Sequence, residues 1–338
     1  MKQKGGTMRR VVLGLAALAF AWTASAAADP LTLRISWATT PSQITPMLPE
    51  IPHEAYRHWG ESYVVEPKFM QGNSVIMPAL QVGEIEIAGY SYQSFAISVF
   101  GANLDIKAIA SVFASKPGYA DSAYWVKKSR IQRYEDLKGK TVAVNSRGST
   151  ADASLHKTLA DHGLKDGADY QLVEMRFPAM LPALESDKVA MAFLTLPFSL
   201  TAEKNPDYKQ MFSLMDALGP NETVIYAAKT EFIAAHRAAL VDFLEDNIRA
   251  RAWMYDPKNR EAAIKVIAKV TKQPEENFRE WVLTNKDNYR APDASFDPKL
   301  LQKNIDDLKT LGVTDKTFDV SQKSDLSLIA EAKKRLGM

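Results

Sequence analysis

This chain of 338 residues carries the pattern of an α/β protein built from two successive sets of strands and helices, each set forming a mixed, mostly parallel sheet flanked by helices. Three observations support that reading. Apolar spacing switches repeatedly between period two and period 3.6 along residues 31–228. From Thr230 onward the chain is almost entirely helical in pattern. No low-complexity linker separates the two sets, so they are expected to be joined by strands.

The elements follow in order. Leu31-Thr-Leu-Arg-Ile-Ser36 alternates as a strand and ends in the polar loop Trp37-Ala-Thr-Thr-Pro-Ser-Gln43. A proline-punctuated, irregular helical stretch reaches Gly60. Val64–Phe69 is a second strand, and Pro67 assigns it to a sheet edge or a strand end. Gly72-Asn73-Ser74 is a turn in which Asn73 or Ser74 can cap a helix carrying Val75, Ile76, Ala79, Leu80 and Val82. Ile85–Ala88 is a third strand, leading through Gly89-Tyr-Ser-Tyr-Gln93 into another apolar helix. The second set has strands at Ala123–Val126, Lys140–Val144, Tyr170–Met175 and Ala190–Leu194, with a helix from Asn145-Ser-Arg-Gly-Ser-Thr150 to His162. Thr223–Ala228 is a further strand. Thr230-Glu231, Asp256-Pro257, Gln273-Pro274, Asp297-Pro298 and Ser324-Asp325 mark helix starts, several with proline where its missing N–H matters least.

Residues 1–28 read as a secretory signal. Lys2, Lys4, Arg9 and Arg10 precede an apolar run from Val11 to Trp22, and the small residues 23–28 offer a cleavage site near 26–28. The run is too short for a membrane span. Cleavage would remove four of the 42 Lys and Arg and none of the 40 Asp and Glu, leaving a slightly acidic, exported chain. That balance predicts no nucleic-acid or anionic-membrane partner. There is no cysteine, which excludes disulfides, thiolate metal sites and a lipid-anchored N-terminal cysteine.

Apparent catalytic motifs fail on spacing. His53 and His58 stand five residues apart, about 140° around a helix from sharing a face, so they do not form a zinc-protease pair. Gly139-Lys140-Thr141 lacks the P-loop glycine, because position 134 is tyrosine. No nucleophile elbow is present, and His156, His162 and His236 have no clustered partners in sequence. No catalytic residue, metal or cofactor is therefore expected.

Loop-to-helix junctions at 37–43, 72–74 with 90–93, and 145–150 are the candidate binding elements, because open α/β sheets bind ligands at the carboxyl ends of their strands. The candidate contacts at these junctions are Trp37, Thr39, Thr40, Gln43, Asn73, Ser74, Tyr90, Tyr92, Gln93, Ser146, Arg147, Gly148, Ser149, Thr150, Phe177 and Phe198. Free N–H groups, two hydroxyls and a guanidinium at 145–150 suit an anion. A capped helix with a solvent-facing arginine is the plain alternative, as ordinary packing is for the aromatics.

Several runs carry a family resemblance. They are Gly72…Ala79-Leu-Gln-Val-Gly83-Glu-Ile-Glu-Ile-Ala88, then Asp136-Leu-Lys-Gly-Lys-Thr-Val-Ala-Val144…Arg147-Gly-Ser149, then Leu159…His162-Gly-Leu164. Pro182-Ala-Leu-Glu185, Val189-Ala-Met-Ala192, Pro197-Phe198 and Phe232…His236…Leu240-Val-Asp-Phe-Leu244…Trp253 follow. Over residues 31–260 the chain resembles the periplasmic substrate-binding proteins of nitrate/sulfonate/taurine-type ABC importers, type II solute-binding proteins of the NMT1/THI5-like superfamily. The resemblance implies a two-lobed clamp, with residues 29–118 and 226–338 in one lobe and 119–225 in the other. Hinge strands are implied near Tyr119–Ala123 and Thr223–Ala228. A monomer is implied, holding a small organic anion and delivering it to an inner-membrane ABC permease and its ATPase. Thr195-Leu-Pro-Phe198 departs from the Trp-Asp-Pro-Phe of sulfonate binders. With Arg147, whose guanidinium matches a planar carboxylate, this points to an aromatic or bulky carboxylate, or a sulfonate. On that reading Arg147→Ala would weaken binding by more than about tenfold. An enzyme like the thiamine-pyrimidine synthases on the same fold, and a periplasmic sensor partner, are the alternatives.

Overall fold

A computed structural model describes residues 1–2 and 29–338; all but two residues of the predicted signal lie outside the described residues. Two five-stranded sheets form. The first runs in spatial order β2 (Tyr63–Phe69), β1 (Leu31–Trp37), β3 (Ile87–Ser91), β10 (Asn221–Lys229), β4 (Ile106–Ser115). The second runs β7 (Tyr170–Glu174), β6 (Lys140–Val144), β8 (Met191–Leu194), β5 (Ala123–Lys127), β9 (Tyr208–Ser213). In each sheet one strand runs against the rest: β10 is antiparallel to β3 and β4, and β5 to β8 and β9. Pro67 does sit on an edge strand, β2, where a missing N–H is tolerated.

Helices cover both sheets. Those following strands are α1 (Asn73–Val82), α2 (Tyr92–Phe100), α3 (Thr150–Asp161), α4 (Phe177–Glu185), α5 (Phe198–Lys204) and α6 (Leu214–Leu218). The return region adds α7 (Thr230–Ala235), α8 (Arg237–Tyr255), α9 (Arg260–Thr271), α10 (Pro298–Thr310) and α11 (Leu326–Arg335). Asp297 and Asp325 cap α10 and α11 as their sequences predict. The first sheet is packed on both faces, by α8 and α11 around Leu33, Ile35 and Leu244, and by α1, α2 and α10 around Phe95, Ile225 and Leu301. The second sheet has its own core around Val142, Leu155 and Met191. No helix among the described residues is long and apolar enough to cross a membrane.

Three features differ from the sequence reading. Strands β4 and β9 were not anticipated. Neither Asn73 nor Ser74 caps α1, because the chain enters that helix one residue earlier, with Gly72 at the cap position. Residues 223–228 are not a crossing: β10 lies wholly within the first sheet, between β3 and β4. The chain instead passes between sheets at 116–122 and again through α6 and residues 219–220.

Candidate functional site

A cleft of about 90 Å³, partly open to solvent, lies between the two sheets. Its walls are the carboxyl ends of parallel strands, as open α/β sheets require. After β1 the loop supplies Thr39, Ser42 and Gln43, and β3 supplies Gly89, Tyr90 and Ser91. From the second sheet come Asn145, Ser149 and Thr150 after β6, Phe177 after β7, and Phe193 and Thr195 on and after β8. Among the described residues, no charged side chain lines the cleft.

Local chemistry fixes these walls. The Gln43 carboxamide oxygen accepts from the backbone N–H of Ala38 and, at 3.1 Å, of Thr39, while its Nε2 donates to the Gly89 carbonyl at 3.4 Å. Gln43 is therefore a brace between the loop and β3, with its oxygen already committed. Behind the loop, the buried Arg290 guanidinium donates to the Pro41 and Ser42 carbonyls at 2.8 and 3.0 Å. Its charge is met by Asp287 at 2.9 Å. Such a buried pair acts as a fixed strut, and removing one partner would leave an uncompensated charge.

Three helices begin at the cleft: α1 after Gly72, α2 after Ser91 and α3 after Ser149. The Ser91 hydroxyl accepts from the Ser94 N–H at 3.1 Å, and Ser149 from that of Asp152 at 3.3 Å. Their N-terminal dipoles place partial positive charge at the cleft without a cationic side chain. The Thr150 hydroxyl, on a residue 3 % exposed, has no hydrogen-bond partner among the described residues. Phe113, Phe177 and Phe193 supply an aromatic wall, the last two with ring centroids 6.4 Å apart.

The two lobes touch at the rim. Gln71 Nε2 donates to the Met175 carbonyl at 3.0 Å, and Ser94 Oγ to the Gly148 carbonyl at 3.1 Å. The Arg176 guanidinium lies over the Phe69 ring, 5.6 Å from its centroid. The conformation is thus a closed one, with the cleft behind the rim.

Of the anticipated contacts, Thr39, Gln43, Tyr90, Ser149, Thr150 and Phe177 line the cleft together. Of the others whose side chains are described, none lines the cleft. Trp37 packs edge-on against Phe69, 4.9 Å between centroids. Thr40 sits in the loop without lining the cleft, Asn73 opens α1, and Ser74 is exposed. Tyr92 is buried in the apolar cluster of the first sheet, and Gln93 is buried on α2 outside the cleft lining. Ser146 and Gly148 belong to the rim, Ser146 donating to the Arg147 carbonyl at 2.9 Å. Phe198 faces a different hollow, shared with Trp281.

Arg147 requires the largest correction. Its side chain is 51 % exposed and bonds Asp166 at 2.6 Å, a pairing that holds the guanidinium charged and turned from the cleft. Asp166 also faces His156, whose imidazole is pushed upward in pKa by its hydrogen bond to Asp152. The solvent-facing alternative therefore describes this arginine. Arg147→Ala should leave ligand affinity within about fivefold, since an exposed ion pair contributes about 1 kcal/mol or less; isothermal titration would check it. Residues that the sequence reading missed include Phe113 on β4, Leu214 after β9, Ser122 and Thr223. The first two follow from the unrecognised strands.

This geometry, two α/β lobes with a cleft at their strand ends, is the periplasmic-binding-protein-like fold. A family model described as NMT1/THI5 like matches residues 65–260, and the chain belongs to that family. Among solved structures, the alkanesulfonate-binding protein SsuA from Xanthomonas axonopodis pv. citri, bound to MOPS, is similar at 17 % identity and TM-score 0.68, over 89 % of this chain and 100 % of that one. The nitrate-binding protein NrtA from Synechocystis PCC 6803 is similar at 13 % identity and TM-score 0.68, over 91 % and 90 %. The ligand-binding component of an ABC-type import system from Staphylococcus aureus, with zinc bound, is similar at 15 % identity and TM-score 0.67, over 89 % and 99 %. No curated protein sequence matches the chain.

Proposed function

We propose that this chain is the exported, monomeric solute-binding component of an ABC importer, with residues 1–28 as its leader. It captures a small organic anion, an aromatic carboxylate or a sulfonate, between two lobes and presents it to a membrane permease and its ATPase. The observation that carries this reading is the uncharged cleft itself: helix N-termini and the unpartnered Thr150 hydroxyl on one side, Phe113, Phe177 and Phe193 on the other. An anionic head can accept hydrogen bonds at the helix starts while its apolar body contacts the rings. Each helix start contributes about 0.3–1 kcal/mol, more when partly buried, so no arginine is needed. Among the described residues, the lining offers no histidine, lysine or carboxylate for proton transfer, which supports binding over catalysis.

A melting screen of residues 29–338 against carboxylates, sulfonates, nitrate and vitamin precursors tests the proposal. One anion class at a hundredfold excess over Kd should raise Tm by about 5 °C or more. No shift with any anion, or a shift with a cationic amine, would contradict it.

A further inference from the structure

The chain crosses between lobes twice, and one carboxylate grips both crossings. The outgoing crossing is Lys116-Pro-Gly-Tyr-Ala-Asp-Ser122, between β4 and β5. The return crossing begins in α6 and reaches β10 through Gly219-Pro220. Asp121 Oδ1 accepts from the Ser115 hydroxyl, at the end of β4, at 2.7 Å. Its Oδ2 accepts from the Met215 N–H, in α6, at 2.6 Å. Beside it the Ser122 carbonyl accepts from the Leu214 N–H at 3.0 Å. Two successive amides of the return crossing are thus held by two successive residues of the outgoing one.

The outgoing crossing is also anchored from behind. Ala120 N donates to the carbonyls of Asn285 and Asp287 at 3.1 and 3.2 Å, and Asn288 Nδ2 donates to the Ala120 carbonyl at 3.3 Å. Asn288 Oδ1 in turn accepts from Ser42, a cleft residue, at 2.7 Å. On the ligand side, Ser122, Leu214 and Thr223 line the cleft, with the Thr223 hydroxyl 3.2 Å from that of Ser115. The grip therefore lies between a fixed base and the cleft floor.

We infer that Asp121 is the clasp of the hinge, a positioning residue that makes both crossings flex as one unit when the lobes open and close. The inference rests on the clamp reading of the fold. Without the clasp each crossing bends independently, the lobes sample more orientations, and the closed form is less populated. Apparent affinity then falls by the lost fraction of closed molecules.

The absence of native cysteine allows clean labelling. Val82, on α1, and Asp161, on α3, are both exposed and lie in different lobes. Spin labels on Val82→Cys and Asp161→Cys would give the interlobe distance distribution by pulsed electron resonance, with and without Asp121→Ala. Asp121→Ala should broaden the distribution and lengthen its mean. Amides of Leu214 and Met215 should exchange at least about tenfold faster, while core amides keep their protection. A folded Asp121→Ala with the native distribution overturns the inference. Should that variant fail to fold, Ser115→Ala, which removes the hydroxyl that Asp121 Oδ1 holds on the outgoing side, must still broaden the distribution, and a native distribution there overturns it equally. A broadened distribution with no ligand found in the melting screen would retain the hinge and remove the proposed cargo. Tight anion binding with unchanged distances would do the reverse.

Discussion

Gly72→Val is expected to abolish ligand capture while leaving both lobes folded. Gly72 has φ +98°, a backbone region that side-chain-bearing residues adopt only with strain, of the order of 1–3 kcal/mol. A Cβ at this position would lie 2.8 Å from Ser146 Oγ and 3.0 Å from Ser146 Cβ, across the rim. A branched side chain would therefore wedge apart the segments that Gln71 and Ser94 hold together in the closed form. Because each 1.4 kcal/mol lost from the closed state is tenfold in affinity, binding should weaken by about a hundredfold or more. Calorimetric titration with the anion found in the melting screen would measure this, and native affinity would refute the wedge. The buried centres of the three apolar clusters, such as Leu33, Val142 and Leu301, are not part of the segment that Gly72 begins, so the ligand-free protein should still melt cooperatively. Gly72→Ala, with no branching, should show a smaller loss of about tenfold.

Glu222→Gln is expected to stabilise the protein at pH 8 and to change little at pH 5. Glu222 lies on β10, 5 % exposed, accepting from Ser111 Oγ at 2.9 Å and from the Asp297 N–H at 3.1 Å. Burial pushes its carboxyl up to about 7 from an ordinary 4.5, and the Asp297 charge adds to this, against those two hydrogen bonds and Arg251. The folded chain therefore holds the proton more tightly than the unfolded chain does. Its stabilising contribution is complete below about pH 4.5 and is lost as pH rises through about 7. The difference is on the order of 3 kcal/mol. Glutamine keeps an acceptor for the Asp297 amide and never ionises. Chemical denaturation of both proteins from pH 5 to 8 should give a stability difference that grows with pH in favour of the variant. A difference independent of pH would contradict the assignment.

The parts of the fold that were legible in the sequence were those with a half-buried period. Leu31–Trp37 alternates because β1 meets polar surroundings on part of its length, and the caps of α10 and α11 are written as Asp297-Pro298 and Ser324-Asp325. Strand β4 carries no such pattern. It lies against α11 on one side and the α2 and α10 cluster on the other, so nearly every position is buried and alternation vanishes. Strand β9 has the opposite difficulty: it is a short edge strand whose Lys209 and Gln210 dilute the signal.

The cleft was legible as a set of junctions, because strand ends can be placed from periodicity. Side-chain direction within a junction could not be, since a loop has no period. Arg147, in the loop, and Thr150, the first residue of α3, are three residues apart; one pairs with Asp166 in solvent while the other turns a bare hydroxyl inward. The partner that turned Arg147 outward, Asp166, stands beyond α3, out of reach of local reading. Phe198 is similar: it opens α5, and α5 faces a separate hollow shared with Trp281.

Small-angle scattering from residues 29–338, with and without the anion that raises Tm, would decide whether the molecule is a clamp. Closure around ligand predicts a smaller radius of gyration in the complex and no such change for Gly72→Val. An unchanged radius on saturation, with that variant binding as tightly as the native protein, would contradict interlobe capture.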